Sequence, residues 1–455
     1  MGIGSLGMGR AFGRAGAWPA CIQLLLMYLF NTFAAVALSI TMRQSPRHVQ
    51  TFGDLGEYVA GPFGRYFTVS MQFGTCLLVP IAFLVLGGSM ILPNLLQEVW
   101  PDASPNVMIP LMAITLLPFA LVRTLKEGTF AAVLGSLGAA VGVLISVSDS
   151  MVHSPYFINT APRASASVIL SVFGTMAMSY GGSVIIPAIQ REHPQPERMP
   201  TIIVAVFTTI TICYWLIGIE GVHQYGCVAP QNLLLSMSNR VSEILAMSFF
   251  LVHITLAYAV YLNPAVFLFE RMALGLHSEI QADDSELGKI SVSSQHPRVE
   301  SISVDATMFL GKENETPIDN KFVELVPFTP HQRMKSYILR TTVVSIQVFI
   351  AMLAQNSFDD IADFVGATCI AWGGIVIPCF IYWKMFSKSM GQPMKIIVLF
   401  IVSISIGVGF YSSYLSFKEI VDQSSQFELF HSEPIVTTNL LDENTRWCAH
   451  TPSKK

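Results

Sequence analysis

The fold class that the sequence predicts is all-α and polytopic, a membrane bundle of about eleven transmembrane helices, and three observations predict it. Hydrophobic residues fill 52% of 455 positions and charged residues only 12%, more apolar surface than one aqueous core could bury. Ten stretches carry no charged side chain over a length close to, or above, the roughly 20 residues that cross a bilayer. Lys and Arg fall in alternate loops with a strong bias, as in a chain that passes repeatedly through lipid.

From the N-terminus, the first element is short and glycine-rich, Met1 to Gly16, and it carries Arg10 and Arg14. Ala17 to Thr41 and Tyr66 to Leu96 follow as full spans. Val107 to Val122 is shorter, but Arg123 and Lys126 can snorkel from its end. Next come Thr129 to Val147, Ala164 to Gln190, Thr201 to Ile219 and Ile244 to Phe269. Thr341 to Gln355 is short again, with Arg340 placed to snorkel, and Phe364 to Trp383 and Ile396 to Phe417 complete the set. Each is expected as a helix, because lipid offers no partner for a bare N–H or C=O.

Loops around 43–65, 123–126, 191–198 and 384–395 hold ten Lys and Arg; the opposite set holds only Arg163 and Arg240. The positive-inside rule then puts the N-terminus and the loop after Arg271 in the cytosol, and the tail after Lys418 outside or in a lumen. One transmembrane domain is therefore expected over 1–418, interrupted by a cytosolic loop at 271–340, with a polar C-terminal tail at 419–455. The loop contains "QADDSELGKISVSSQHPRVESISVD", low in aromatics and rich in Ser, Asp and Glu, which reads as a disordered tether or a regulatory segment. Asn314-Glu315-Thr316 matches a glycosylation acceptor that a cytosolic position would leave unused. No cleavable signal peptide is visible at "MGIGSLGMGRAFGRAG".

Several function classes are excluded. The net charge of -4 forms no basic stripe, so nucleic acid is not an expected partner. No CxxC, HExxH or clustered His/Cys pattern appears, and no metal or organic cofactor is expected. Acids and bases do not converge within the spans, which disfavours a membrane enzyme. Of seven cysteines, five lie in apolar spans; only Cys227 and Cys448 share the expected outer side, and the preferred reading leaves them unbridged.

The sixth span breaks its own helix. "MSYGGSVIIP" carries Gly181 and Gly182 in mid-span and Pro187 soon after, while Gly2, Gly4, Gly7 and Gly9 interrupt the first element. The sixth stands five elements on from the first, so they occupy equivalent places in two halves, the mark of a secondary transporter built from inverted repeats. Breaks at mid-bilayer free peptide groups that can bind a carboxylate or a cation. Glycines also serve close helix packing, which is the plainer reading of "GGSM" at Gly87 and "WGGIVIP" at Trp372.

Ordered motifs then carry a resemblance. "GIGSLGMGRAFGRAGAWP", "TFGDLGEYVAGPFGR", "VRTLKE", "MSYGGSVIIPAIQREHPQPERMP" with "YWLIGIEGVHQYG", and "YLNPAVFLFER" resemble, in sequence order, segments of the amino acid/auxin permease family. The second of these is similar to the loop which that family places between its second and third helices. The resemblance implies a LeuT-like core of 5+5 helices in inverted repeat plus one more, and amino acid transport by alternating access. It also implies a shortened first helix, since Met1 stands where family members have a preceding half-helix, and Gly9 stands where many have proline.

The breaks and the resemblance together nominate a substrate site. Backbone groups of Gly2, Ile3, Gly4 and Ser5 and of Ser179, Tyr180, Gly181 and Gly182 would hold the α-carboxylate and α-amine, with Tyr180 and Met176 shaping the side-chain pocket. His253 is the ionisable side chain well inside the eighth span, suited to a proton role or to a neutral, buried one. Thr255 and Tyr258 could offer oxygens to a small cation or bond their own backbone. Arg10 either gates, paired with an acid such as Asp363, or snorkels to headgroups, and snorkelling is preferred. Glu220 and His223 read as solvated mouth residues. The expected activity is secondary active transport of an amino acid, coupled to H+ or Na+, in a plasma, vacuolar, lysosomal or vesicular membrane; an amino-acid sensor without flux is the alternative.

Overall fold

Segments with no water to bond must bond themselves, and the computed structural model, which describes residues 2–46, 49, 51–121, 128–153, 165–274, 330–424 and 448, is almost wholly helical. Its eleven elements in chain order are as follows. α1 is two pieces, Ile3–Leu6 and Met8–Ala15, joined at Gly7. α2 is Ala17–Gln44, α3 Phe52–Leu96, α4 Pro105–Leu121 and α5 Gly128–His153. α6 is broken again, into Ala166–Ser171, Phe173–Met178, a 3-10 segment Gly181–Ile185, and Ile186–Glu192. α7 is Met199–Tyr225, α8 Arg240–Leu274, α9 Pro330–Leu353, α10 Phe358–Phe386 and α11 Gln392–Ser424. Among the described residues, nine helices are long and apolar enough to cross a membrane; α4 is shorter and apolar, and α1 is the broken eleventh.

Three boundaries differ from the sequence reading. α8 runs on to Leu274 and α9 starts at Pro330, so helix replaces both ends of the expected 271–340 loop, and α11 continues to Ser424, past the start of the expected tail. Arg340 is the physical reason for the first. It does not snorkel: it is buried, with Nε 2.7 Å from Glu270 Oε1, while Nη1 donates to the Ala120 carbonyl at 2.7 Å and to Asn263 Oδ1 at 2.8 Å. That cluster pins the ends of α4, α8 and α9 together where the apolar pattern has already stopped. "TFGDLGEYVAGPFGR" is the third difference, a helical turn-back and not a loop. Thr51 and Asp54 form a reciprocal capping box, the helix runs to Gly61, and there a φ of 68° reverses the chain before Pro62 opens the membrane part of α3. The reversal brings Arg65 within 3.0 Å of Asp54.

Packing places the broken elements centrally. α5 lies along α8, α7 lies along α1 and α2, and α10 packs on α6 and α11. α6 and α10 cross at Gly174 and Gly366, where a side chain on either glycine would overlap the other helix's backbone. Gly87 and Gly88 do serve close packing, against Met112 and Ile109 of α4, and sit in a π-helical turn, Leu86–Ile91. "WGGIV" forms another π-turn, Trp372–Val376, in α10. Trp18, Ile22, Phe349 and Phe400 lie on the outer, exposed surface of the bundle, as lipid-facing side chains do. Asn314-Glu315-Thr316, Arg123, Lys126, Arg163 and residues 425–455 other than Cys448 lie outside the described residues.

Candidate functional site

α6 is broken as expected, whereas α1 is interrupted at Gly7 and not at Gly4 or Gly9, which lie inside its helical pieces; the two elements pack against each other. The two pieces of α1 part at Gly7, and α6 leaves the α-helix at Ser179 and Tyr180 before its 3-10 turn. Gly4 is where they meet: a Cβ there would stand 2.9 Å from the Ser179 Cα, so only glycine permits the approach. Ser179 Oγ lies 3.2 Å from the Gly4 carbonyl and 3.0 Å from the Thr175 carbonyl. Ser5 turns its hydroxyl back to the Gly2 carbonyl at 2.6 Å. Gly2, Gly4, Ser179 and Gly181 are part exposed and Gly182 is exposed, with open space around the position a Cβ would take. Ile3 is within the first helical piece.

Two of the nominated residues point elsewhere. Tyr180 is buried, its hydroxyl 2.6 Å from Thr211 Oγ1 on α7, its ring edge-on to Phe207 and Tyr214. Met176 is fully buried in the core. Gly181 abuts Ile370 of α10.

His253 comes to the same place from α8. Its Nδ1 is 2.9 Å from the Gly135 carbonyl of α5. A carbonyl only accepts, so Nδ1 carries the hydrogen and, in the neutral ring, Nε2 keeps its lone pair. That lone pair faces α1, since a Cβ on Gly2 would lie 3.2 Å from Nε2. Phe83 and Phe250 present their edges to the imidazole and shield its flanks. Thr255 bonds the Leu251 carbonyl of its own helix at 2.7 Å, and Tyr258 donates to Gln347 Oε1 at 2.8 Å. Neither joins the break.

Beyond Gly7, α1 carries two buried arginines, each paired with an aspartate of α10. Arg10 does not snorkel; it is buried, with Nε 2.6 Å from Asp359 Oδ2 and Nη1 donating to the Ala229 carbonyl at 3.0 Å. Its partner is Asp359, not Asp363. Asp363 instead lies 3.5 Å from Arg14 Nη1 and accepts from both the N–H and the hydroxyl of Thr175 at 2.5 Å, and Arg14 Nη2 donates to Ser171 Oγ at 3.0 Å. Two ion pairs thus lock α1 to α10 and α6. Sequence reasoning missed Arg14 and Asp359, although two arginines four apart and two aspartates four apart put each pair on one helix face. Glu220 accepts from Gln224 at 2.8 Å on its own helix.

Cys227 and Cys448 are bridged, contrary to the preferred reading. The turn Gly226–Val228 that carries Cys227 packs on α1, where a side chain at Gly13 would press the Gly226 carbonyl. Cys227, Val228 and Cys448 form a small buried cluster around the bridge.

A family profile described as transmembrane amino acid transporter protein matches residues 1–418. The chain belongs to that family. Similar Arabidopsis thaliana members are "Amino acid transporter AVT1J", 20% identical over 92% of this chain and 88% of that protein, and "Amino acid transporter ANT1", 22% identical over 91% and 88%. "Lysine histidine transporter-like 1" from the same plant is 21% identical over 68% of this chain and 70% of its own length. A solved structure, "Crystal structure of MhsT in complex with L-phenylalanine", aligns over 91% of this chain and 95% of that one at 14% identity and a TM-score of 0.47. The amino acid/auxin permease resemblance drawn from the motifs is thereby confirmed, and the protein is an integral, multi-pass membrane member of an amino acid transporter family.

Proposed function

We propose that this protein carries an amino acid across its membrane by alternating access, with a proton as the coupling ion. The observation that supports this most is the meeting of the α1 break, the α6 break and the free Nε2 face of His253 around Gly2, Gly4 and Ser179. The zwitterion is held where the start of α1 meets the α6 break, at Gly2–Ser5 and Ser179–Gly182, and Gly182 leaves room for it. A proton on Nε2 makes His253 cationic in a poorly solvated place, where an approaching carboxylate stabilises it; the carboxylate is in turn held more tightly by the imidazolium. Proton and substrate therefore load together, which is the elementary requirement of symport. Closure on the far side falls to Arg10–Asp359 and Arg14–Asp363, and opening that side requires both pairs to part.

The bias in loop charge supports a cytosolic N-terminus and an extracytosolic C-terminus, and the Cys227–Cys448 bridge supports the same side for the tail, since disulfides persist in oxidising compartments. The test is uptake by the purified full chain in liposomes, with each proteinogenic L-amino acid offered while pH and sodium gradients are varied separately. Uptake driven by an inward proton gradient, and uncoupled from it in His253→Gln, is the expected result. Sodium-driven uptake indifferent to His253→Gln would remove the proton assignment, and binding with no flux would make the protein a sensor.

A further inference from the structure

Unwinding a helix in lipid leaves carbonyls that need donors, and α7 supplies them to the α6 break. We propose that Thr211 and Tyr214 of α7 are positioning residues that hold the α6 break in its binding shape and keep the Tyr180 phenol out of the substrate space. This rests on the reading of the break as the substrate site.

Thr211 and Tyr214 are three apart on α7, hence on one face, and both are buried. Tyr214 donates its hydroxyl to the Ser179 carbonyl at 3.0 Å, at the first residue out of the α-helix. Thr211 Oγ1 is 2.6 Å from the Phe207 carbonyl of its own helix and 2.6 Å from the Tyr180 hydroxyl. A threonine has one hydroxyl hydrogen, which goes to the carbonyl, so Tyr180 must be the donor to Thr211. The Tyr180 and Tyr214 rings then meet edge to face, with centroids 6.0 Å apart at 90°.

Ser183 registers the departure from α-helical geometry at the break. A serine in a membrane helix ordinarily donates to the carbonyl four residues back. For Ser183 that carbonyl belongs to Ser179, which accepts from Tyr214 instead, and Ser183 lies in the 3-10 turn, where the carbonyl four residues back is out of line. Ser183 Oγ is fully buried and finds no hydrogen-bond partner among the described residues. The glycine pair permits the break; the α7 hydroxyls set its shape. With Tyr180 drawn back to α7, Ser179 faces Gly4 of α1 and Gly182 borders open space, so the space left for a substrate side chain depends on Thr211.

The experiment compares liposome uptake of the best-transported proteinogenic L-amino acid and of glycine, per amount of reconstituted protein, in Tyr214→Phe, Thr211→Val and Thr211→Ser. Loss of one buried hydrogen bond at the site is expected to raise KM about tenfold in Tyr214→Phe, with Vmax within about twofold of wild type. Thr211→Val should lower the preference for a bulky substrate over glycine, because the freed phenol enters the pocket, and Thr211→Ser should restore it. A fall in Vmax at unchanged KM and unchanged selectivity would mean a purely structural role and would overturn the proposal. Gly182→Val separates the two readings, because its side chain enters open space and does not clash. If Gly182→Val raises KM while Tyr214→Phe and Thr211→Val leave KM and selectivity untouched, only the positioning role falls; if Gly182→Val is also silent, the site reading falls with it.

Discussion

Arg10 shows how much one side chain can conceal in a sequence. An arginine near the end of a short apolar element is ordinarily read as a snorkel, because a lone cation in lipid is costly. Here the cation is not lone: Asp359 lies 2.6 Å away and Ala229 supplies a carbonyl. Removing one member of a buried pair leaves the other charged and uncompensated, at a cost of about 3–5 kcal/mol, whereas removing both can be close to neutral. Arg10→Ala and Asp359→Ala should therefore each lower the melting temperature in detergent, and the double variant should melt well above the sum of the two losses. Additive losses would show that the pair is not an energetic unit. If the pair also closes the outer side, the double variant should lose tight coupling and leak substrate down its gradient, measured as efflux from preloaded liposomes.

At the level of elements, glycine position separates what folds the bundle from what serves the site. Gly174 and Gly366 bring α6 and α10 into backbone contact, so an added methyl on either has nothing flexible to displace. Gly182 has open space around it. Gly174→Ala should thus abolish recovery of monodisperse protein, while Gly182→Ala should be recovered at wild-type yield; equal yields would mean the α6–α10 crossing is not as tight as drawn. The all-helical, multi-pass architecture was legible because lipid enforces one solution on every apolar run. The breaks were legible because Gly181-Gly182 and the early glycines contradict that solution locally. What stayed hidden was lateral: no periodicity tells that Tyr180 turns to Thr211, that Asp359 and not Asp363 meets Arg10, or that Arg340 is buried against Glu270. Those pairings depend on how helices distant in the chain lie side by side.

Across the whole molecule, the chain's end is tied back to its beginning. Cys448 bridges to Cys227, the turn holding Cys227 rests on α1 at Gly13, and Ala229, two residues on, receives Arg10. Anything that holds this turn down also holds the carbonyl that Arg10 uses, and thereby supports the Arg10–Asp359 pair from above. In the proposed alternating-access cycle the outer side opens, so the bridge is expected to slow opening while steadying the closed state. A membrane-impermeant phosphine, added to the extracytosolic face, should raise the rate of substrate exchange and lower the melting temperature. Cys227→Ser should show both effects without reductant and should not respond to it. The two readouts must move together, because the bridge acts on opening only by stabilising what opening disrupts; a melting temperature that falls while exchange stays constant would place the clasp outside the transport cycle. Reaction of the bridge with reductant from the cytosolic face alone would reverse the assigned orientation of the tail, and with it the direction in which the two Arg–Asp pairs close the path.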